Sequence, residues 1–177
     1  FLDADDWLAP DCLSHLFAIA EEANADVTAG STLQYIKGDI SPCYSLSDQM
    51  IRGKAAGVWM VAHDVFMNIE VWNKLFRIDF LRKHDIHTTH RIMEDSVFDF
   101  EARVLAQTIV LSSYTTYYYR IHSDSILGSL FDHQATDEAV NTYCDIIQQV
   151  QRRIREHYHD IDGIYDLYSL RLFYTFH

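Results

Sequence analysis

The segment EDSVFDFEARVLAQ, residues 94–107, restricts the fold of this 177-residue chain more than any other stretch. Acidic residues occupy its first turn, and Val97, Phe100, Val104 and Leu105 fall on one side of a helix with 3.6 residues per turn. Two extended patterns follow at once, TIVLSS and TTYYYRIH. A helix followed directly by strands predicts a mixed α/β domain.

The preceding segments continue the same alternation. Pro10 lies where a helix would begin, and an apolar face recurring every three or four residues predicts that this helix runs to about Asn24. ADVTAGSTLQYI then predicts a strand, KGDISP a turn, and CYSL a second extended piece. Residues 47–70 give no clear prediction, because Gly53 and Gly57 weaken a helix there.

The later segments change from a mixed pattern to a helical one. VWNKLFRIDFLRKHDI predicts a short strand or turn and then a helix capped at Asp79. From about residue 132, EAVNTYCDIIQQVQRRIREHY predicts an amphipathic helix, and the last 18 residues begin another. The order is therefore α/β followed by a helical tail.

Charge and cysteine content exclude some classes of protein. The formal net charge of −12 argues against a nonspecific nucleic-acid binder, which would neutralise phosphates with Lys and Arg. Cys12, Cys43 and Cys144 are widely spaced and odd in number, so neither a disulfide framework nor a zinc knuckle is indicated. We expect reduced cysteines and a cytoplasmic protein. No apolar run approaches the roughly 20 residues that cross a bilayer.

Three aspartates lie within four positions of the stretch FLDADDW. Placing Asp3, Asp5 and Asp6 together is costly, because each negative charge disfavours ionisation of its neighbours, and a divalent cation relieves that cost. Mg²⁺ or Mn²⁺ typically takes one or two carboxylates and completes its shell with substrate phosphates. The alternative is an acidic loop that only caps the following helix. Because Phe1 is not an initiator residue, we also expect the chain to be part of a longer polypeptide.

Three quoted stretches, in this order and spacing, carry a family resemblance. They are FLDADDWLAPDCLSHLFAIAEEANADV, VWNKLFRIDFLRKHDIHT and RIMEDSVFDFEARVLAQTIVLSSYTTYYYRIHSDSIL. Together they resemble the family 2 glycosyltransferases of the GT-A fold over about residues 1–127. The resemblance implies a C-terminal part of a GT-A domain, with a Rossmann-like mixed sheet, over residues 1–130. Residues 131–177 would be a helical extension.

The resemblance also implies roles for the acidic residues. The family's DxD motif falls on Asp3 to Asp5, with Asp6 following, and binds the Mn²⁺ or Mg²⁺ that bridges the donor diphosphate. The family's ED motif falls on Glu94 and Asp95, and its aspartate acts as general base on the acceptor hydroxyl. The acceptor oxygen then attacks the anomeric carbon in line and inverts its configuration. A histidine often completes the metal site, and His122 is the candidate here.

The resemblance extends to the acceptor and donor sides. WNKLF resembles the acceptor-side segment, so Trp72, Asn73 and Lys74 would line the sugar-acceptor pocket, although Trp72 could equally be core. Arg120 would approach the donor diphosphate, with a surface salt bridge as its alternative. The partners implied are a UDP-sugar donor and a saccharide or lipid-linked saccharide acceptor in bacterial cell-surface polysaccharide synthesis. We expect no nucleic-acid partner, and leave open a homodimer and a peripheral contact of the arginine-rich tail with the cytoplasmic face of the membrane.

One departure and two alternatives accompany this interpretation. The family's upstream nucleobase-binding strand and the DGS-type turn that follows it are not in the sequence. We therefore expect little or no transferase activity from these 177 residues alone. Haloacid-dehalogenase-like phosphatases also carry DxD at the end of a strand, and would use Asp3 as nucleophile. A protein-binding module without catalysis is the other alternative.

Overall fold

The structure is a computed structural model that describes residues 1–53, 70–88 and 94–122. Within the remainder it describes only Ala56, Asp145, Gln148, Arg152 and Glu156, each of them helical. The strands are β1 (Trp7–Leu8), β2 (Val27–Ile36), β3 (Asp39–Tyr44), β4 (Gln49–Arg52), β5 (Lys74–Phe76) and β6 (Thr108–Arg120). The helices are α1 (Cys12–Ala23), α2 (Ile78–Lys83) and α3 (Glu94–Leu105).

The six strands form one mixed sheet around a parallel pair, β2 and β6. The first half of β2 pairs with β5 and its second half with β3, both antiparallel. On the far edge of β6, β4 pairs with its first half and β1 with its end, again antiparallel. The end of β6 therefore lies beside the residues that precede β1, which include the three aspartates.

Helices cover both faces of this sheet, as the strand alternation dictates. Ile109 and Leu111 on β6 pack with α3 in the main core, whereas Val110 between them packs with Ala23 of α1. Helix α3 contributes Phe98, Ala102 and Leu105 to this core. This arrangement confirms the predicted mixed α/β architecture.

Gly30 marks the closest approach between the two central strands. A Cβ at this position would lie 2.2 Å from the Thr116 Cγ2 atom, far inside van der Waals contact. The β2–β6 register shifts there, because Gly30 pairs with Ser112 while Ser31 pairs with Thr115. The extra residues form a bulge that lets β6 continue to Arg120.

The bulge explains one wrong prediction. TIVLSS and TTYYYRIH were expected to be two strands, but the structure has a single strand, β6, over Thr108–Arg120. The break in the sequence pattern at Ser112 and Ser113 is an irregularity within the strand. DISP was also predicted as turn, yet it belongs to β3, and the turn is Lys37–Gly38 with both φ angles positive.

The helix boundaries follow the predictions more closely. Helix α1 begins at Cys12, two residues after the predicted start at Pro10, and ends at Ala23 with Asn24 as a left-handed C-cap, which agrees with the predicted end near Asn24. The predicted cap at Asp79 is wrong, since α2 begins one residue earlier, with Arg77 at the N-cap and Asp79 in the first turn. Helix α3 begins at Glu94 as predicted.

Parts of the chain lie outside the described residues. The ambiguous region 47–70 contains β4, and 54, 55 and 57–69 are not described. The tail helices predicted from residue 132 onward also fall outside it, apart from the four helical positions given above. In the described part of the chain, no helix is long and apolar enough to cross a membrane.

Candidate functional site

The three aspartates form a tight turn in front of β1. The Asp6 amide donates to the Asp3 carbonyl at 3.3 Å, and Trp7 then begins the strand. Residues 1–3 have no strand conformation. We call residues 3–6 the acidic turn. Its position is set by the strand that follows it.

The end of β6 holds the acidic turn through Asp6. The Tyr117 hydroxyl donates to Asp6 Oδ2 at 2.7 Å, and the Arg120 amide donates to Asp6 Oδ1 at 2.7 Å. The Asp3 amide in turn donates to the Tyr117 hydroxyl at 3.2 Å. Burial, and then the nearby acids, raise the pKa of Tyr117, so its hydroxyl stays protonated and able to donate. Asp6 is therefore the residue that fastens the turn to the sheet.

Asp5 and His122 form an exposed pair at the rim of the sheet. The Oδ2 atom of Asp5 lies 2.8 Å from Nε2 of His122, and the two side chains are 47% and 44% exposed. The hydrogen bond with His122 holds the pKa of Asp5 below its usual range, so this carboxylate is ionised at neutral pH. In the structure the carboxylate and the imidazole form a hydrogen-bonded pair, and both are side-chain groups of types that ligate metal ions in proteins.

The predicted metal set was Asp3, Asp5, Asp6 and His122, and the structure brings only part of it together. Across the described ranges, no three His, Cys, Asp or Glu side chains are grouped so as to hold a metal ion by themselves. The Asp5 carboxylate is a ligand type that suits Mn²⁺ or Mg²⁺, which complete their shells with water and substrate phosphate, and the His122 imidazole lies beside it. Asp6, with both oxygens already hydrogen-bonded, is a weaker candidate.

The predicted acceptor residues lie in or near the core. Trp72 is 6% exposed and stacks on Tyr117, with ring centroids 4.3 Å apart. The Asn73 Nδ2 atom donates to the Gly30 carbonyl at 2.8 Å, which ties β5 to β2. Lys74 is buried as well. The side chains of these three residues contact other parts of the protein and are buried. They would have to become exposed to touch an acceptor, so their role in acceptor binding stays a prediction.

Lys74 belongs to a buried ionic cluster that the sequence did not reveal. Its Nζ atom lies 3.3 Å from Asp99 Oδ1, with both side chains fully buried, and Arg103 pairs with the other oxygen of Asp99. Burial lowers the pKa of Lys74, and the charge of Asp99 opposes that shift. The signal in the sequence was the Asp99–Arg103 spacing of four residues within an apolar helix, a spacing typical of an ion pair on one helix face. We call Lys74, Asp99 and Arg103 the buried ionic cluster.

The predicted catalytic pair opens helix α3. Glu94 is its first residue, and its side chain is outside the described part of the structure; Asp95 follows and is half-buried. Asp95 precedes Asp99 by four residues, so both project from the same side of α3. The buried ionic cluster therefore fixes the side of the helix on which Asp95 lies.

Comparisons with known proteins give a consistent result. No family model matches the chain. The chain is 24% identical over 143 residues to EpsH of Bacillus subtilis (strain 168), a putative glycosyltransferase. The alignment covers 72% of this chain and 38% of EpsH. The crystal structure of S. aureus TarS residues 1–349 with UDP-GlcNAc matches with a TM-score of 0.64 at 17% identity, over 88% of this chain and 42% of that one.

A second TarS structure, with UDP, matches with a TM-score of 0.59 at 16% identity, over 88% of this chain and 40% of that one. The chain thus spans less than half the length of these relatives. At this identity the structural likeness shows the fold, a mixed α/β sheet of the GT-A-like type, and the predicted C-terminal portion of such a domain fits it. The fold class predicted from the sequence is confirmed, and the relatives found are glycosyltransferases.

Proposed function

We propose that the protein is a metal-dependent, inverting glycosyltransferase of family 2 that moves a sugar from a nucleotide diphosphate to an acceptor hydroxyl. The observation that carries the proposal is the exposed pair of Asp5 and His122 in a domain with a GT-A-like fold. Asp5 belongs to the acidic turn, which is hydrogen-bonded to the end of β6. These two residues would hold Mn²⁺ or Mg²⁺. The bound ion supplies stabilisation of the negative charge that develops on the leaving diphosphate.

The remaining residues of the turn hold the ligands in place. Asp6 accepts hydrogen bonds from Tyr117 and from the Arg120 amide, and Asp3 donates its amide to Tyr117. Their contribution is to restrict the conformations of Asp5 before the donor binds. Preorganisation of this kind lowers the cost of reaching the reactive geometry.

Asp95 is proposed as the general base. Its carboxylate takes the proton from the acceptor hydroxyl while the oxygen forms a bond to the anomeric carbon and the bond to the diphosphate oxygen breaks. Attack from the face opposite the leaving group inverts the anomeric configuration. Glu94, next to it, is assigned to the same motif, and the buried ionic cluster fixes the side of α3 on which Asp95 lies.

The donor is proposed to be a UDP-sugar. Support comes from the solved TarS structures, which hold UDP-GlcNAc and UDP. The acceptor, a saccharide or lipid-linked saccharide of a bacterial cell surface, follows from the family resemblance alone. A homodimer, a membrane contact of the tail and a cytoplasmic location likewise stay predictions.

The test is calorimetric titration of UDP, with and without Mn²⁺, into the longest natural form of the protein. Asp5→Asn keeps the shape of the side chain but removes its charge, and Asp39→Asn makes the same change at an exposed position in β3. We expect Mn²⁺-dependent binding that Asp5→Asn abolishes and Asp39→Asn preserves. Equal binding by all three proteins would contradict the proposed site.

The two alternatives, a phosphatase and a protein-binding module, predict different results in experiments on the same protein. A phosphatase that used Asp3 would hydrolyse a generic phosphomonoester with Mg²⁺, and Asp3→Asn would abolish this activity. A binding module would bind neither UDP nor a phosphomonoester.

A further inference from the structure

Arg120 ends β6, and its side chain packs across the acidic turn. Its guanidinium carbon lies 5.4 Å from the centre of the Trp7 ring and 5.3 Å from that of Tyr35. Its Nε atom donates to the main-chain oxygen of Asp5 at 2.9 Å. We call Trp7, Tyr35 and Arg120 the arginine clamp. A planar guanidinium can stack on rings and donate from its edge at the same time, which a lysine cannot do.

The sheet fixes each member of the arginine clamp independently. Arg120 pairs with Tyr35 in the parallel ladder of β2 and β6, and its amide donates to Asp6. The Trp7 ring stacks almost parallel on Tyr118, with centroids 5.1 Å apart and planes 7° from parallel. The guanidinium position is therefore set by the fold, before any ligand binds.

The hydrogen bond to Asp5 goes to its backbone, and this decides what the contact can do. A bond to the main-chain oxygen does not use the Asp5 carboxylate, whose Oδ2 atom keeps its contact with His122 Nε2 at 2.8 Å. It restrains the backbone of Asp5 without occupying the oxygens of its carboxylate.

We infer that Arg120 is a positioning residue for the metal site: the arginine clamp holds the Asp5 backbone so that its carboxylate and His122 meet at one ion. The inference rests on the proposed function, because it takes Asp5 and His122 as metal ligands. It assigns Arg120 a role in the acidic turn, where the sequence had suggested a contact with the donor diphosphate.

The sign of one effect separates positioning from simple electrostatics. Arg120 is a positive charge beside a cation site, so by charge alone its removal tightens Mn²⁺ binding. If Arg120 positions Asp5, its removal weakens Mn²⁺ binding instead, by about tenfold or more, as is typical when the support of a metal ligand is lost. Arg120→Lys keeps the charge but cannot stack as a plane, so we expect most of the same loss.

Two measurements on the 177-residue chain test this. The first, without metal, is amide hydrogen exchange at Asp6 and Arg120, where Arg120→Ala should remove protection. The second is Mn²⁺ affinity from the electron paramagnetic resonance signal of free Mn²⁺. Arg82→Ala, which removes a positive charge from the exposed face of α2, is the matched control and should leave both measurements unchanged. Near-ultraviolet circular dichroism checks that each variant is folded.

The outcomes are distinguishable. Lost protection together with weaker Mn²⁺ binding in both Arg120 variants supports the inference. Unchanged exchange in Arg120→Ala, or Mn²⁺ binding that stays equal or tightens, overturns it; so does full affinity in Arg120→Lys. If the unaltered chain binds no Mn²⁺, the proposed metal site is wrong, and so is the inference that depends on it. The hydrogen-exchange data would still show whether the arginine clamp orders the acidic turn.

Discussion

Two groups of charged residues in this protein differ in their access to water. In the buried ionic cluster, Lys74 and Asp99 have no exposed side-chain surface, and Arg103 is 7% exposed. In the acidic turn, Asp5 and its partner His122 are each almost half exposed. Both groups lie next to β-strand ends and both pair an acid with a base, yet only one of them is open to a ligand.

The difference shows which charges hold the fold together and which can change partners. A buried charge has lost its hydration and depends on its ion-pair partner, so removing that partner is strongly destabilising. An exposed pair is screened by water and contributes little to stability. Its hydrogen bond can be exchanged for a metal at small cost. We therefore assign the buried ionic cluster to the fold, and the exposed pair is the group that we propose binds a metal ion.

The largest effect is expected from Asp99→Ala. This change leaves Lys74 and Arg103 buried without their anion, and we expect it to lower the free energy of unfolding by about 3–5 kcal/mol, measured by urea denaturation. A triple variant that replaces all three members by apolar residues, Lys74→Met, Asp99→Leu and Arg103→Met, should recover most of that loss. A single variant as stable as the unaltered chain would contradict the assignment.

A smaller loss is expected where the two central strands come closest. Gly30→Ala places a methyl group against Thr116 at 2.2 Å, so the strands must separate. We expect about 1–3 kcal/mol of destabilisation by thermal or urea unfolding, the range usual for overpacking. Adding Thr116→Ala, which removes the Cγ2 and Oγ1 atoms that the new methyl group would meet at 2.2 and 2.3 Å, should restore part of it. No restoration would mean that the strain lies elsewhere.

Tyr117→Phe tests the link between the sheet and the acidic turn. It removes a hydroxyl that donates to Asp6 and accepts from Asp3, while the ring can still stack on Trp72. We expect a loss of about 1–2 kcal/mol in unfolding free energy and weaker Mn²⁺ binding. Tyr114→Phe, at an exposed tyrosine in the bulge of β6, is the control. Equal Mn²⁺ affinity in both variants would separate the turn from metal binding.

The smallest effect on stability is expected at the exposed pair. Asp5→Asn should change the unfolding free energy by no more than about 0.5 kcal/mol, as is usual for a surface substitution. The same change should abolish Mn²⁺-dependent UDP binding. A large loss of stability in this variant would show that Asp5, like the buried ionic cluster, holds the fold together. It would contradict the distinction between that cluster and the exposed pair.

Elements with a strong local pattern could be predicted from the sequence. Helix α1, strand β2 and helix α3 have apolar spacings that match one period, and their positions were predicted within a few residues. The single strand β6 was not, because its bulge depends on Gly30 in another strand. Local pattern contains no information about a partner distant in sequence.

The candidate site shows the same limit. The sequence predicted Asp5 and His122 as metal ligands from residue type and family resemblance, and the structure places their side chains 2.8 Å apart. The sequence could not show that Asp6 would be held by Tyr117, or that Arg120 would contact the Asp5 backbone, since these contacts depend on β1 pairing with the end of β6. Burial of Lys74 was missed for a similar reason, because its partner lies on a helix more than twenty residues later.

The central claim is that the exposed pair binds a metal ion through both residues, and nuclear magnetic resonance of the histidine rings tests it most directly. Titration of Mn²⁺ into the protein should broaden the His122 ring signals first, and Asp5→Asn should prevent this at the same Mn²⁺ concentration. His87 serves as the internal control, because its Nδ1 atom lies 3.4 Å from Asp85 Oδ1 and it therefore belongs to an exposed Asp–His pair outside the acidic turn. Broadening of His122 and His87 to the same extent, or persistence in Asp5→Asn, would contradict the account.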